Sequence, residues 1–427
     1  MKVYPHTNRK LLSNMKKNNI SKTNSLPKQS DVNIGVGVYL DYSATSPIKK
    51  EIRAAILPYL DEKFGNPSSI HSWGQIARQA VDSAREEVAE FLNCTPAEII
   101  FTSGGTEADN LAIRGLALSF KASRPHIVTT QIEHHAVLNT CEHLEKEGLA
   151  EVTYLKPNQD GLVSAEQVKK ALKKNTVLVS VMYVNNEIGT LQPIREIGKM
   201  IEKENRKRDG KQIYFHTDAV QAAEYQPMNV DFLHADLLTI SGHKIGAPKG
   251  IGALFIRQNI PLEKMIFGGE QEINRRAGTE NVIGIVALGK AVEVLRNEKY
   301  EIRAEKTSRL RDYFINEILK EIPDVKLNGS KELRSPNNIN FYFKYVEGES
   351  ILLSLDLVGI AASSGSACTS QSLQPSHVLM ALYDDAERAH GSVRFSIGEK
   401  TTKEEIDYTL VNLKKIIKRL REISPLA

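Results

Sequence analysis

Short apolar runs rich in β-branched residues alternate with amphipathic segments between residues 74 and 256. Each run is short enough to be a strand that is buried on both faces of a sheet. The runs are Ile99–Phe101, His126–Val128, Val152–Tyr154, Val177–Val181, Ile213–Phe215, Leu237–Ile240 and Ala253–Ile256. The helical segments between them are Gly74–Leu92, Thr106–Phe120, Val137–Glu147, Glu166–Lys174 and Arg195–Arg208. This alternation predicts an α/β fold with a mostly parallel central sheet.

The pattern changes after residue 290, where a long segment carries many charged residues. We expect a helix over Val292–Leu319, strands near Asn338–Phe343, a loop at 361–375 and a closing helix over Lys403–Arg421. These elements predict a second, smaller α+β domain. The expected organisation is a disordered basic tail at 1–37, a large domain at 53–291, and a small domain that combines 38–52 with 292–427.

The composition is that of an average globular protein, with 427 residues, 41% of them hydrophobic and 25% charged. This composition excludes disorder for most of the chain. The three cysteines, Cys94, Cys141 and Cys368, are too few and too scattered for a disulfide framework or a structural zinc site. We therefore expect no metal site and a reducing compartment, the cytoplasm.

The net charge of +4 is concentrated in the first thirty residues, which hold seven Lys/Arg and no acidic residue. Residues 31–427 hold 49 Lys/Arg against 52 Asp/Glu, so the charge does not predict nucleic-acid binding. The tail lacks the apolar region of a secretory signal. A disordered tail and a presequence for the mitochondrial matrix both stay open. The longest uncharged stretch, Leu357–Tyr383, includes Ser, Thr, Gln and Pro, so no membrane span is expected.

Two segments that follow predicted strands carry residues suited to an aldehyde cofactor. Lys244 ends the segment SGHK, and a partly desolvated amine can lose its proton and attack an aldehyde. Asp218 lies in HTDAVQ, where a buried carboxylate can keep the ring nitrogen of pyridoxal phosphate protonated and Gln221 can bond the phenolate oxygen. Alone, Lys244 could be an exposed loop lysine and Asp218 a helix N-cap.

A third segment, SGGTEADN at 103–110, lies between a strand and an amphipathic helix. Glycine permits close approach of the backbone, and the start of a helix favours a phosphate. The chain can supply further donors to such a phosphate from Thr106, Ser241 and His243. An ordinary turn is the alternative.

Two polar residues complete the expected cavity. His134 has a ring of the size needed to stack on a pyridine, although a surface histidine is the alternative. Asn186 follows the strand that begins near Val177, at the sheet edge where ligands of open α/β sheets bind.

The order of the motifs resembles that of the pyridoxal-phosphate-dependent cysteine desulfurases of the NifS/IscS type, which have the fold of fold-type I aminotransferases. The resemblance runs from residue 39 to the closing helix. The matching segments are YLDYSAT (39–45), FGNPSSIH (64–71), SGGTEADN, QIEHHAVL (131–138), VNNEIGT (184–190), HTDAVQ, SGHK, RRAGTEN (275–281) and SSGSACTS (363–370).

The resemblance implies a role for each of the residues singled out. Lys244 would carry the cofactor covalently, Asp218 would contact its ring nitrogen, and His134 would stack on its ring. Further cofactor contacts are implied for Gln221 and Asn186, and phosphate contacts for Gly105, Thr106, Ser241 and His243. Thr279 would reach the phosphate from a neighbouring subunit, so a homodimer is implied.

Cys368 lies in a Ser/Gly/Ala-rich loop whose small side chains permit the movement that a sulfur carrier needs. The resemblance implies that Lys244 moves the α-proton of L-cysteine and that Cys368 then accepts the sulfur as a persulfide, with L-alanine as the other product. Arg394 would bind the substrate carboxylate through two bonds, together with Asn186. Taken alone, Cys368 could be a buried structural thiol and Arg394 part of a surface ion pair. Cys94 and Cys141 are expected to be inert.

One segment departs from the family pattern. Related enzymes typically read GGGxERGxRxGT, whereas Glu270, Ile273 and Asn274 replace Gly, Arg and Gly here. We expect the lost glycines to restrict the backbone. Two other functions stay open, a selenocysteine lyase and a non-catalytic docking subunit for sulfur transfer. The sulfur acceptor also stays open between an iron–sulfur scaffold, a tRNA-thiolation relay and a nucleic-acid-sulfurating system, and no direct nucleic-acid or membrane binding is expected.

Overall fold

The structure is a computed structural model that describes residues 37–208, 210, 212–364 and 374–424. The predicted tail, apart from Gly37, and most of the predicted loop at 361–375 lie outside these residues. The strands of the described part are β1 (Val38–Tyr39), β2 (Ile99–Thr102), β3 (His126–Thr130), β4 (Glu151–Leu155), β5 (Thr176–Ser180), β6 (Tyr214–Asp218), β7 (Leu237–Ser241), β8 (Gly252–Ile256), β9 (Val325–Leu327), β10 (Asn338–Phe343), β11 (Ile360–Ala361) and β12 (Ser392–Ser396).

The helices occupy the segments between these strands. They are α1 (Lys50–Leu60), α2 (Ser72–Leu92), α3 (Gly105–Ser119), α4 (His135–Lys146), α5 (Ala165–Ala171), α6 (Ile194–Asn205), α7 (Val230–Leu233), α8 (Gln271–Asn274), α9 (Val282–Arg296), α10 (Tyr300–Glu321), α11 (Gly348–Asp356), α12 (His377–Tyr383), α13 (Ala386–His390) and α14 (Lys403–Glu422). Among the described residues, no helix is long and apolar enough to cross a membrane.

The predicted α/β fold with a mostly parallel sheet is confirmed. Seven strands form one sheet in the order β2-β8-β7-β6-β5-β3-β4, in which β8 is antiparallel to its two neighbours and the other pairs are parallel. Neighbouring residues of a strand enter different apolar clusters: Ile127 packs in one and Val128 in the other, as do Leu237 and Leu238. The sheet is therefore covered on both faces, as a parallel sheet requires.

A smaller antiparallel sheet, β12-β10-β9, has its own apolar core, in which Phe314, Phe341 and Phe395 pack with Leu40 from the beginning of the described chain. Strand β1 pairs in parallel with β11, which joins residues 38–39 to residues 360–361. The predicted domain boundaries stay a prediction.

The long helix predicted over Val292–Leu319 is wrong, because two helices, α9 and α10, occupy this region. The chain leaves the helical conformation at Lys299, whose φ and ψ are −60° and 133°. The buried Arg303 of α10 donates to the carbonyl oxygen of Leu295 over 2.7 Å, so the side chain satisfies a carbonyl at the end of α9.

Candidate active site

The parallel strands β3, β5, β6 and β7 end at one edge of the large sheet, where polar ligands of such sheets collect. A cavity of about 450 Å³, within the range of small-molecule sites, lies at this edge. Its lining brings together the predicted site residues except Thr279 and Cys368. The lining residues are Ser43, Ala44, Gly105, Thr106, Asp109, His134, Met182, Asn186, Asp218, Val220, Gln221, Ser241, His243, Lys244 and Arg394.

Lys244 reaches the cavity from a single 3-10 turn, Gly242–Lys244, that follows β7. Its Nζ donates to the carbonyl oxygen of Ala44 over 2.8 Å and to that of Ser43. The side chain is half-buried and lines the cavity, so it is not the exposed loop lysine that the pattern alone allowed. The amine therefore lies where it can meet a bound aldehyde.

Asp218 is the last residue of β6 and is 6% exposed. No helix begins after it, so the alternative of a helix N-cap is wrong; instead, its Oδ1 accepts from the backbone N–H of Val220 over 2.9 Å. Burial raises the pKa of Asp218 to about 6, and the charge of Lys244 opposes this rise. A cationic group bound next to this carboxyl would favour its ionised form. Gln221 donates to the carbonyl oxygen of Ser43 over 2.9 Å.

The start of α3 and its neighbours contribute hydrogen-bond donors to the cavity lining. Helix α3 begins at Gly105, and a Cβ atom added there would lie 2.9 Å from the side chain of Val220, so the close approach requires glycine. The first turn of a helix leaves backbone N–H groups without helical partners, and Thr106, Ser241 and His243 line the same cavity. Burial lowers the pKa of His243 to about 4, which leaves a neutral ring that still carries an N–H. This part of the cavity lining suits an anion.

His134 is the N-cap of α4, and its Nδ1 accepts from the backbone N–H of Ala136 over 3.1 Å. Burial, followed by the charge of Lys244, lowers the pKa of His134 to about 4. The ring is therefore neutral near pH 7 and carries its hydrogen on Nε2. The backbone contact also holds the ring, which is no ordinary surface histidine.

Arg394 lies in β12 and is 3% exposed, so the alternative of a surface ion pair is wrong. Its Nη1 donates to the carbonyl oxygen of Asn186 over 2.8 Å, and its Nη2 to Oδ1 of Asp41 over 2.9 Å. Its Nε is buried and has no acceptor among the described residues. A buried guanidinium with an unused N–H suits a carboxylate ligand.

Two predicted residues are not part of the cavity lining. Thr279 is exposed, so its predicted role towards a neighbouring subunit stays a prediction. Cys368 lies outside the described residues. Before it, Ser363 exchanges two backbone hydrogen bonds with Arg394, and after it, Nε2 of His377 lies 2.9 Å from the carbonyl oxygen of Glu133. Both described ends of this segment are therefore fixed beside residues of the cavity.

The other two cysteines have protonated thiols at neutral pH. Burial raises the pKa of Cys94 to about 12, and it raises that of the fully buried Cys141 as well. A protonated thiol is a weak nucleophile. These environments agree with the expectation that both residues are inert.

Several residues in or next to the cavity lining had no predicted role. Ser43 and Ala44 supply the carbonyl oxygens that contact Lys244, and Asp41 holds Arg394. The motif YLDYSAT contains all three, but a carbonyl contact leaves no signature in a sequence. Asp109 could have been found, because it lies one helical turn after Gly105 and therefore on the same face of α3.

The atypical segment at 270–274 adopts a left-handed turn. The φ angles of Glu272, Ile273 and Asn274 are 47°, 57° and 57°, whereas Glu270 has an ordinary φ of −89°. The replacement of glycine is therefore unstrained at 270 and tolerable at 274, where asparagine is, after glycine, among the residues best suited to positive φ. Glu272 makes a buried, two-bond ion pair with Arg85 at 2.7 and 2.8 Å, which fixes the turn against α2.

Comparison with known proteins identifies the family. The aminotransferase class-V family matches residues 38–409. The cysteine desulfurase IscS of Dictyoglomus turgidum is 53% identical over 390 residues, which cover 91% of this chain and 96% of that protein. A solved structure described as a NifS-like protein superposes with a TM-score of 0.83 at 33% identity, over 90% of this chain and 100% of that one. A second, described as SspA in complex with cysteine, has a TM-score of 0.74 at 36% identity, over 84% and 98%. The chain therefore belongs to the cysteine desulfurases of the aminotransferase class-V family.

Proposed function

We propose that this chain converts L-cysteine into L-alanine with pyridoxal phosphate and passes the sulfur to Cys368. The observation that carries the proposal is the cavity in which an amine, a buried carboxyl group and an anion-binding helix start converge. The similarity to SspA, whose structure is described as a complex with cysteine, supports cysteine as the substrate.

The residues present fit pyridoxal phosphate. The start of α3, Thr106, Ser241 and His243 would hold the phosphate, and the glycine at 105 leaves the space that a larger residue would fill. Asp218 would face the ring nitrogen, and Lys244 would hold the aldehyde carbon. When bound, the cofactor supplies an electron sink for the substrate carbon atoms. Gln221 and the neutral ring of His134 would fix the orientation of the pyridine ring.

Arg394 and Asn186 would orient the substrate. The guanidinium of Arg394 lines the cavity and would take the α-carboxylate, which would place the amino group towards Lys244. The amine of Lys244 would then remove the α-proton and return it later. Its two contacts to the backbone carbonyls of Ser43 and Ala44 hold the amine at the cavity wall between these steps.

The thiolate of Cys368 would attack the substrate sulfur. A sulfur–sulfur bond forms while the carbon–sulfur bond of the substrate breaks, and the electron pair stays on the carbon, which takes up one proton. The products are alanine and a persulfide on Cys368. The transfer of the sulfur atom needs no other oxidant or reductant. Cys94 and Cys141 cannot replace Cys368, because burial keeps both thiols protonated.

The persulfide would supply sulfur to an acceptor protein, either an iron–sulfur scaffold or a thiolation relay. The desulfurase would act as a homodimer in the cytoplasm. A selenocysteine lyase remains the enzymatic alternative, and turnover on the two substrates separates them. A docking subunit would neither take up pyridoxal phosphate nor form alanine.

The test compares Lys244→Ala with Lys249→Ala, which removes an exposed lysine of the same loop. We expect Lys244→Ala to lower alanine formation from L-cysteine by at least about a hundredfold, the contribution of a positioned acid–base group. It should also abolish the absorbance of covalently bound cofactor. Lys249→Ala should retain both. Equal alanine formation by the two variants would refute the assignment of Lys244.

A further inference from the structure

Asp109 is a buried carboxyl group of the cavity for which the proposed reaction has no use. It lies in the second turn of α3 and is 1% exposed. Its Oδ1 has no hydrogen-bond partner among the described residues, although the residue lines the cavity. A buried polar oxygen without a partner, in a site for a charged ligand, requires an explanation.

Among the described residues, the groups that face Asp109 provide no positive charge. They are Asp218 at the end of β6, Glu133 after β3, Thr239 of β7 and His216 of β6. Nε2 of His216 is 3.6 Å from Oδ1 of Asp109, but this ring already contacts Thr239 at 3.1 Å and Ser180 at 2.8 Å. Burial lowers the pKa of His216 to about 3, so the ring is neutral.

We therefore expect only one of the two aspartates, Asp109 and Asp218, to be ionised at a time. Both are buried, and two ionised carboxylates in one dry site repel each other strongly. Asp218 accepts a backbone N–H and feels the charge of Lys244, which favour its ionised form. Asp109 has neither among the described residues. Burial, followed by the charge of Asp218, raises the pKa of Asp109 well above its usual range, and a hydrogen bond with Thr239 opposes this rise only in part. The proton therefore stays on Asp109.

We infer that Asp109 is a positioning residue that holds a proton beside Asp218, so that one negative charge, rather than two, faces the ring nitrogen of the bound cofactor. The inference rests on the function proposed above, because it needs the cofactor at Asp218. A neutral carboxylic acid offers an O–H donor and an acceptor oxygen, and the side-chain amide of asparagine likewise offers a donor group and an acceptor oxygen in nearly the same shape. Asparagine at 109 should therefore replace the acid.

The test measures the dissociation constant of pyridoxal phosphate and the absorbance spectrum of the bound cofactor in the full-length protein. Asp109→Asn should bind within about threefold of the parent and leave the spectrum unchanged, because the donor pattern is kept. The same change at the neighbouring carboxyl, Asp218→Asn, should weaken binding at least about tenfold through the loss of a charge-assisted contact.

A second measurement follows thermal unfolding of the cofactor-free protein from pH 5 to pH 9. A carboxyl whose pKa is raised by folding contributes stability that is lost as the pH rises through the folded value. The parent should therefore lose more stability towards pH 9 than Asp109→Asn. If Asp109→Asn weakens cofactor binding tenfold while Asp218→Asn does the same, Asp109 is an anion and the inference is wrong. If Asp218→Asn binds normally, the proposed cofactor site itself is wrong.

Discussion

The orientation of the Arg394 side chain is fixed by contacts within the protein. The guanidinium is buried and contacts a backbone carbonyl on one side and Asp41 on the other. The side chain of Asp41 is 18% exposed, so Asp41 makes the ion pair with Arg394 without being fully buried itself. The two contacts fix the plane of the guanidinium, whose Nε has no acceptor among the described residues.

We predict that Asp41→Ala raises the KM for L-cysteine about tenfold, because a hydrogen bond to a charged group contributes about 1.5–3 kcal/mol. The value of kcat should change less than about twofold, since Asp41 does not reach the reacting atoms. Asp41→Asn keeps an acceptor oxygen and should restore most of the affinity. Steady-state kinetics on the three proteins measure this split. A fall in kcat at unchanged KM, or an Asn variant as impaired as the Ala variant, would contradict the positioning role.

The sequence predicts residues whose side chains carry the chemistry, and it misses those that act through the backbone or through a distant partner. Lys244 and Asp218 follow strands at positions that already indicate a cofactor. Ser43 and Asp41 become meaningful only through contacts with Lys244 and Arg394, which are about 200 and 353 residues away along the chain. Such pairings are decided by the tertiary fold, and local periodicity carries no information about them.

At the scale of elements, the buried strands were predictable and the breaks between helices were not. Buried strands of a parallel sheet are continuous apolar runs, which is why each of the seven runs predicted between residues 99 and 256 is found in the large sheet. At the break between α9 and α10, Arg303 donates to the carbonyl oxygens of Leu295 and Glu298, contacts that the sequence pattern does not reveal. The pairing of β1 with β11 joins two-residue strands that are too short for any pattern.

His126 links three strands of the large sheet and makes the sheet sensitive to acid. Its Nδ1 lies 2.8 Å from the hydroxyl of Thr176 in β5, and its Nε2 lies 2.9 Å from that of Thr153 in β4. Burial, followed by the charge of Lys173, lowers the pKa of His126 from 6.5 to about 4. The folded protein therefore keeps this ring neutral at a pH at which the unfolded chain binds a proton.

Stability from His126 is fully present above pH 6.5 and is lost as the pH falls towards 4. We predict that His126→Asn is less stable than the parent at pH 7 but loses about 2 kcal/mol less between pH 7 and pH 4.5. Urea unfolding at the two pH values measures the difference. His143→Asn, at an exposed histidine, should lose as much as the parent. Equal losses in all three proteins would show that His126 does not titrate in this way.

At the scale of the whole molecule, the site is incomplete without a second copy if Thr279 acts as the resemblance implies. Thr279 is exposed, and Phe267 and Ile273, nearby in the sequence, are 76% and 55% exposed. Exposed apolar residues close to an expected cofactor contact favour an interface there.

We predict that the protein sediments with twice the chain mass of 47.6 kDa. Phe267→Glu should shift it towards the monomer and weaken cofactor binding, whereas Leu353→Glu, at an exposed residue of α11, should change neither. Thr279→Ala should keep the dimer and weaken cofactor binding about tenfold through the loss of a contact to a charged group. A monomer that binds cofactor normally would contradict the shared site.

The family and its overall fold were accessible from the sequence because long motifs keep their order along nearly the whole chain. The proton arrangement inferred for Asp109 and Asp218 was not accessible, since it depends on the burial of both residues in the lining of one cavity. The left-handed turn at 272–274 could not be predicted from the sequence either, because a β-branched residue such as Ile273 rarely adopts a positive φ.

The most direct test of the central claim is mass spectrometry of the cofactor-loaded protein after one turnover with L-cysteine, followed by peptide mapping. The account predicts one added sulfur atom on Cys368 and none on Cys94 or Cys141, with alanine formed in equal amount, and no added sulfur in Lys244→Ala. Sulfur on either of the other two cysteines, or unimpaired persulfide transfer to an acceptor by Cys368→Ala, would contradict it.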